Sequence, residues 1–214
     1  MSTRHPQRGL SMIELMIGVA IALFLVASGS TLFVGQLREN RALTLEARLM
    51  QDLRTTADVI ARDLRRAGYW GAAGTGANPY AALEPVVGPS TTVDLRYSRD
   101  AVENNAVDSN EQFGFRLRNG AIELQLGAGN WQAMTDTTTF TVTEFNVTPE
   151  VQDLSLESIC PHACAAGSTT CPPHQQVRSL RVAITATLLS DTRVVRSLHS
   201  NARVRSDAVV GTCS

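Results

Sequence analysis

The last third of the chain collects side chains that could bind a metal or form covalent cross-links. All four cysteines lie there, and two histidines are close to them in sequence; the set is Cys160, His162, Cys164, Cys171, His174 and Cys213. Cysteine thiolates and imidazoles are the ligands that zinc prefers, but the Cys-x3-Cys and Cys-x6-Cys spacings do not form two matched knuckles. An even number of cysteines indicates disulfides in an oxidising compartment. We therefore expect two disulfides and no metal site, and among the three possible pairings we favour Cys164–Cys171 with Cys160–Cys213.

A second candidate for chemistry is the acidic segment 100–111, which carries Asp100, Glu103, Asp108 and Glu111. Carboxylates are the ligands that calcium prefers, but this segment lacks the glycine and the spacing of an EF-hand loop. We expect a solvated loop, with calcium binding as the alternative.

Catalytic motifs are not found in the sequence: there is no nucleophile elbow, phosphate loop or HExxH helix. His199 lies among residues of a predicted strand, with no serine or cysteine motif beside it. The formal net charge is −1, without the basic excess of a nucleic-acid-binding domain. We expect a protein that is not an enzyme, uses no cofactor and does not bind nucleic acid directly.

The N-terminal region combines a basic segment, a glycine, a lone acid and a long apolar run. No formal charge occurs between Leu15 and Gly35, and about 20 such residues suffice to cross a bilayer. Arg4 and Arg8 precede the run and predict that the bulk of the chain lies outside the cytoplasm. Two alternatives remain: a secretory signal cleaved near residues 27–30, and an acid, Glu14, that simply sits at headgroup level.

The stretch Arg8-Gly9-Leu10-Ser11-Met12-Ile13-Glu14-Leu15 resembles the class III signal of type IV prepilins and pseudopilins. The resemblance implies that prepilin peptidase removes a leader, residues 1–9, by cleavage between Gly9 and Leu10. It further implies that Leu10 is methylated and that Glu14, the fifth mature residue, pairs with the N-terminal amine of a neighbouring subunit. Leu10 replaces the more common phenylalanine, a conservative departure.

These residues would be positioned by one long helix from about Ser11 to Ala67. We expect residues 10–36 to form its membrane or fibre-core half and 37–68 its amphipathic half, followed by a head at 69–214. The apolar positions of the second half recur at helical spacing: Leu43, Met50, Leu53, Ala57, Ile60, Leu64 and Ala67. This stripe is predicted to pack against a sheet, with a coiled-coil dimer as the alternative.

The head begins with a segment rich in glycine, alanine and proline, residues 68–91, which predicts a loop. Tyr69 and Trp70 would anchor this loop to the sheet or, alternatively, form a recognition surface. Asn119-Gly120 and Ser190-Asp191 mark two hairpins. The predicted strands are residues 92–97, 113–117, 121–126, 138–143 with 144–148, 179–188 and 193–198. A long helix followed by an antiparallel sheet is an α+β arrangement.

This order of elements is similar to the type IV pilin fold, and the junction Leu64-Arg65-Arg66-Ala67-Gly68-Tyr69 resembles minor pilins of the PilW type. The resemblance implies a minor pilin of a type IV pilus, anchored by one span in the bacterial inner membrane with a periplasmic head and later located in the pilus. There it would join a priming or tip complex that starts assembly, and so serve adhesion, twitching motility or DNA uptake.

The implied partners are prepilin peptidase, the other minor pilins and the major pilin through their N-terminal helices, and a large tip adhesin. Two alternatives stay open: a large pseudopilin at the tip of a type II secretion system, and a single-pass periplasmic binding domain without a role in assembly.

Overall fold

The computed structural model describes residues 11–73 and 76–213 of the chain. In these residues one α-helix, α1, spans Met12–Arg66 and is followed by nine strands and two short 3-10 helices, Ser109–Glu111 and Glu157–Ile159. The chain divides into two compact units, of which the first ends at Leu45 and the second begins at Glu46. The predicted helix, Ser11 to Ala67, is confirmed to within one residue at each end.

Both ends of α1 follow from the local sequence. At the N-terminus the carbonyl of Ser11 accepts the N–H groups of Glu14 (3.0 Å) and Leu15 (3.2 Å), and Glu14 places a negative charge in the first turn. Two basic residues, Arg65 and Arg66, occupy the last turn. The helix stops before Gly68, whose φ of +73° is a left-handed conformation that suits glycine and ends many helices.

The second unit contains two antiparallel sheets. The first has the strand order β1-β2-β3-β4-β5, and the second has the order β6-β7-β8, with β9 also pairing with β7. The strands are β1 Leu83–Glu84, β2 Thr92–Arg96, β3 Gln112–Arg118, β4 Ala121–Leu126, β5 Trp131–Ala133, β6 Phe140–Ser155, β7 His174–Leu188, β8 Val195–Arg203 and β9 Ala208–Val210. The sequence predicted a single sheet, so the division into two corrects that expectation, while the α+β class is confirmed.

The β3–β4 hairpin turns at Asn119-Gly120 as predicted. Both turn residues have positive φ, 51° and 75°, which is the requirement of a tight hairpin turn and the reason for the Asn-Gly preference. Beside this turn, Arg116 of β3 pairs with Glu123 of β4 at 2.7 Å, and its guanidinium lies 4.0 Å from the ring centre of Trp131. The cross-strand pair and the cation–π contact hold β3, β4 and β5 in register.

Strand β6 is longer than predicted, because segments 138–143 and 144–148 continue as one strand to Ser155 with a register shift between Val142 and Glu144. It runs through Pro149, a residue that sheets tolerate only at an edge. Val147 exchanges backbone hydrogen bonds with Ser90 on the side away from β7, so the backbone of Pro149, two residues later, also points outward. Its missing N–H therefore removes no bond to β7.

The core of the second unit is formed by one face of α1 and the inner faces of the strands. On α1 the buried residues are Leu49, Leu53, Thr56, Ala57, Ile60, Ala61 and Leu64. The predicted stripe is correct from Leu53 onward but wrong at its start, since Leu43 is 64% exposed and Leu49 replaces Met50 as a fully buried position. Leu43 lies before the second unit, and the buried core of the described chain is in that unit.

The segment between α1 and β2 is ordered by one buried aromatic side chain that the sequence pattern did not reveal. Tyr80 is fully buried, Trp70 is largely buried, and Tyr69 is exposed. Asn78 fixes this segment, because its side-chain amide donates to the carbonyl of Gly68 (2.8 Å) and its side-chain oxygen accepts the N–H of Tyr80 (2.8 Å). The predicted anchoring role therefore belongs to Trp70 and Tyr80, and Tyr69 faces solvent.

Candidate functional site

The first candidate site is the N-terminal part of α1, which carries Glu14. Gly9 and Leu10, the predicted processing site, lie outside the described residues. Glu14 is exposed in the first turn of the helix, and no cation lies within ion-pair distance of its carboxylate among residues 11–73 and 76–213. The carboxylate is thus available to a group from outside the described chain.

The helix around Glu14 exposes an uninterrupted apolar surface. By length and composition α1 is able to cross a membrane, with a mean hydropathy of 2.3 over its most apolar window, none of which is buried within the chain. Between Met12 and Val34 the large apolar side chains of α1 are exposed on every face, with Met12 at 85% and Phe24 at 73%. Such a surface requires lipid or other helices as its surroundings, because water is a poor solvent for it.

Polar groups within this apolar run are satisfied inside the helix. The hydroxyls of Ser28, Ser30 and Thr31 donate to the carbonyls of Phe24 (2.7 Å), Val26 (2.7 Å) and Ser28 (2.8 Å). Back-bonding of this kind removes the cost of placing a hydroxyl in an apolar medium. Glu14, directly before this run, is the one ionisable side chain between Ser11 and Gly35, and it has no ion-pair partner among the described residues.

The cysteine-rich segment forms a cross-linked loop. The structure contains the disulfides Cys160–Cys213 and Cys164–Cys171, with Cα atoms 5.4 Å and 5.5 Å apart, which is the pairing favoured from the sequence. The second bond lies within the loop closed by the first. All four sulfurs are used, so the arrangement that zinc would need is not formed by these residues. The first bond fixes the segment after β9 to the segment between β6 and β7.

The acidic segment 100–111 is a structured loop built around Tyr80. Its phenol oxygen lies 2.8 Å from the Ala106 carbonyl and 3.1 Å from carboxylate oxygens of both Glu103 and Glu111. Burial, and next the hydrogen bond with Glu103, raise the pKa of the Tyr80 hydroxyl above its usual range. The expectation of a plainly solvated loop is therefore wrong for Glu111, which is fully buried.

Glu111 is held by the backbone of its own loop. Its carboxylate accepts the N–H groups of Arg99 (2.7 Å) and Asp108 (2.8 Å). Carboxylate oxygens of Asp100, Asp108 and Glu111 lie within 4.8 Å of one another, which is close enough for a shared cation. The hydrogen bonds already in place account for the position of Glu111 without an ion.

The loop also fixes the chain that leaves α1. Trp70 donates its indole N–H to the side chain of Asn105 (2.8 Å), and the N–H of Gly71 donates to Glu103 (3.1 Å). Sequence reasoning missed this network because its partners are more than twenty residues apart and follow no periodic pattern.

Comparison with known protein families gives two matches. The prokaryotic N-terminal methylation motif matches residues 4–30, and the family described as prepilin peptidase-dependent protein B matches residues 42–204. The first covers Gly9, Leu10 and Glu14, and the second covers α1 from residue 42 onward and the strands β1 to β8. No curated protein and no solved structure matches the chain.

Proposed function

The chain belongs to the prepilin peptidase-dependent protein B family, and from this membership we propose that it is a minor pilin of a type IV pilus. In this proposal it joins a priming or tip complex that initiates pilus assembly, as a non-catalytic subunit. The methylation motif over residues 4–30 supports processing by prepilin peptidase and membrane anchoring in a bacterium. Assignment to the PilW type is a finer proposal, which rests on the junction 64–69 alone.

The observation that carries the proposal is the exposed carboxylate of Glu14, which has no ion-pair partner among the described residues, at the start of the apolar half of α1. Cleavage after Gly9 would create a positive amine on Leu10. In a bundle of such helices water is excluded, so an isolated carboxylate or amine would be costly, and the two attract each other strongly. The main effect of the pair between Glu14 and the amine is therefore to fix one axial position for each incoming subunit. Its net contribution to stability is small.

The experiment replaces Glu14 by alanine in the source bacterium and follows two steps separately. Processing is measured by mass spectrometry of the mature N-terminus, and incorporation by the amount of the subunit in sheared fibres. We expect normal processing and strongly reduced incorporation. Glu39→Ala is the matched control, since Glu39 is an exposed acid of the same helix beyond the apolar run. Incorporation of the Glu14 variant at the wild-type level would contradict the pairing.

Processing itself is tested at Gly9. Replacement by leucine places a bulky side chain at the cleavage position, and we expect the uncleaved chain to accumulate in the membrane. The wild-type chain should begin at a methylated Leu10. A mature chain that begins near Ser30 would instead indicate a removable secretory signal. An intact Met1 would indicate a simple membrane-anchored domain.

A pseudopilin of a type II secretion system is the second candidate, and the three carboxylates of Asp100, Asp108 and Glu111 are the observation that favours it. Calcium binding by large pseudopilins is a property that the resemblance to that family implies. Calcium titration of the purified full chain in detergent micelles separates the two candidates. An increase in Tm with calcium that is lost in Asp100→Asn favours the pseudopilin, and an unchanged Tm favours the pilin.

A further inference from the structure

A small pocket at the C-terminal end of α1 is lined by basic side chains and one exposed aromatic ring. We call it the arginine pocket; its volume is about 260 Å³, and it is formed by Arg65, Arg66, Tyr69, Ser98, Arg205 and Ser206. All of these residues belong to the second unit, and none of them is a cysteine of the disulfide loop.

Backbone hydrogen bonds between three segments hold the pocket together. The N–H of Arg205, just after β8, donates to the carbonyl of Arg65 at 3.2 Å. The N–H of Ser98, just after β2, donates to the carbonyl of Tyr69 at 2.9 Å. The side chains of these residues are therefore presented from a fixed frame of backbone, and ligand binding would require little ordering of the main chain.

The charges of the arginine pocket are only partly balanced by the residues that the structure describes. Among residues 11–73 and 76–213, no carboxylate lies within ion-pair distance of Arg65 or Arg205, and none lines the pocket. Arg66 is partly compensated, because Asp63 lies 3.9 Å away and the guanidinium stacks 4.3 Å from the ring centre of Tyr97.

The acid nearest to the pocket along the chain, Asp207, does not line it. Its Oδ2 atom binds Arg203 at 3.0 Å and the side-chain amide of Gln175 at 2.7 Å, and its Oδ1 atom is buried without a hydrogen-bond partner among the described residues. The helix dipole explains two cations in the last turn of α1, but Arg205 belongs to another segment and adds a third. An anion from outside the described chain would remove the mutual repulsion of these guanidinium groups.

The composition of the pocket indicates a protein as the source of that anion. Tyr69 is 57% exposed beside the three arginines, and tyrosine and arginine are the side chains most enriched at the energetic centres of protein interfaces. Pockets for organic ligands usually measure about 300–1,000 Å³, so this one is better matched to a single side chain. We propose that the arginine pocket receives an aspartate or glutamate side chain of a neighbouring subunit in the assembly.

The proposal rests on the proposed function for the identity of the partner, but its binding chemistry can be tested without a fibre. The full chain in detergent micelles is titrated with a hexaglutamate peptide, with hexaglutamine and with inorganic sulfate, by isothermal titration calorimetry. The test variant is Arg65→Gln with Arg205→Gln, and the matched control is Arg118→Gln, an exposed arginine with no ion pair within the described chain.

We expect hexaglutamate to bind the wild type and the control alike, and to bind the double variant about tenfold more weakly, as two partly exposed charge pairs imply. Hexaglutamine should not bind, and added salt should weaken hexaglutamate binding. The Glu14→Ala variant should bind hexaglutamate normally, so that a failure of fibre incorporation and a failure of the pocket are distinguishable. The proposal would be overturned if the double variant bound hexaglutamate with unchanged affinity. It would also be overturned if the wild type bound sulfate but did not bind hexaglutamate.

A second measurement identifies the partner in the cell. A photo-crosslinking amino acid, p-benzoylphenylalanine, replaces Tyr69, whose exposure and aromatic shape permit the exchange. The crosslinked peptide is identified by mass spectrometry. We expect attachment within a few residues of an acid on another pilin-like subunit, and loss of the crosslink when Arg65 and Arg205 are both glutamine. A crosslink that persists in that background, or one to a surface without acids, would rule the pocket out as an acidic anchor site.

Discussion

The two disulfides close loops of very different length, and their contributions to stability should differ accordingly. Cys160 and Cys213 are separated by 53 residues, and Cys164 and Cys171 by 7. We consider two double variants, one replacing Cys160 and Cys213 by alanine and the other replacing Cys164 and Cys171. Each leaves the other bond intact and introduces no new polar group.

The expected magnitudes follow from the entropy that each bond removes from the unfolded chain. With the usual dependence on the logarithm of loop length, the long loop is worth about 4 kcal/mol and the short loop about 2 kcal/mol at 25 °C. The short bond lies inside the long loop and shortens it only slightly, so the long-loop value barely changes. The difference of about 2 kcal/mol is more reliable than either value, since it depends on loop length alone.

Urea unfolding of the full chain in detergent micelles, followed by tryptophan fluorescence, measures this difference. The chain has two tryptophans, Trp70 and Trp131, and both lie in the unit that begins at Glu46, so the signal reports on the head. With a slope of roughly 2 kcal/mol/M, the midpoint should fall by about 2 M without the long-range bond and by about 1 M without the local one. Equal losses, or a larger loss for the Cys164–Cys171 variant, would refute the entropic reasoning.

Three further predictions concern α1 and the head and use the same unfolding assay. Tyr80→Phe should cost about 1–3 kcal/mol, because it leaves buried Glu111 with one hydrogen bond fewer; an unchanged free energy of unfolding would mean that the hydroxyl is dispensable. Ile60→Ala, at a fully buried helix position, should cost about 2–5 kcal/mol, while Leu43→Ala, at an exposed one, should change stability by less than about 0.5 kcal/mol; similar losses would contradict the assigned core. Glu103 provides the pH test: burial acts to raise the pKa of its carboxyl, but hydrogen bonds, including those from Ser98 and the Gly71 N–H, lower it overall in the folded chain. The contribution of the Glu103 carboxylate to the free energy of unfolding is therefore complete above the ordinary glutamate pKa and is lost as the pH falls through the lower folded-state pKa. The difference in stability between the wild type and Glu103→Gln should become smaller in acid. A difference that grows in acid would refute the network.

Local patterns in the sequence were enough to predict the elements that depend on neighbouring residues. The helix was predicted within one residue at each end, because apolar periodicity and Gly68 act over short distances. The β3–β4 hairpin was predicted from Asn119-Gly120, since that pair alone suits the backbone of the turn. The N-terminal motif was recognised from an equally short stretch, and a family comparison supports it.

Features that depend on distant parts of the chain were not predictable in the same way. Tyr80 lies in a segment without periodicity, and its burial depends on Glu103 and Glu111, which come 23 and 31 residues later. The division into two sheets depends on which strands pair with each other and which stay at a sheet edge. The alternation of apolar and polar side chains along a strand does not indicate its partners. The arginine pocket likewise requires Arg205 to meet Arg65 across most of the length of the head.

Strand β7 pairs with β6 along its whole length on one side and with β8 and β9 on the other. One strand thus sets the alignment of three others, and in a sheet a displacement by a single residue turns every side chain to the opposite face. An insertion or deletion of one residue within His174–Leu188 would misplace the core positions of the entire second sheet at once. Tags, epitopes and length variation in this protein should therefore be tolerated at the turn around Ser190-Asp191 and excluded from the strand that precedes it.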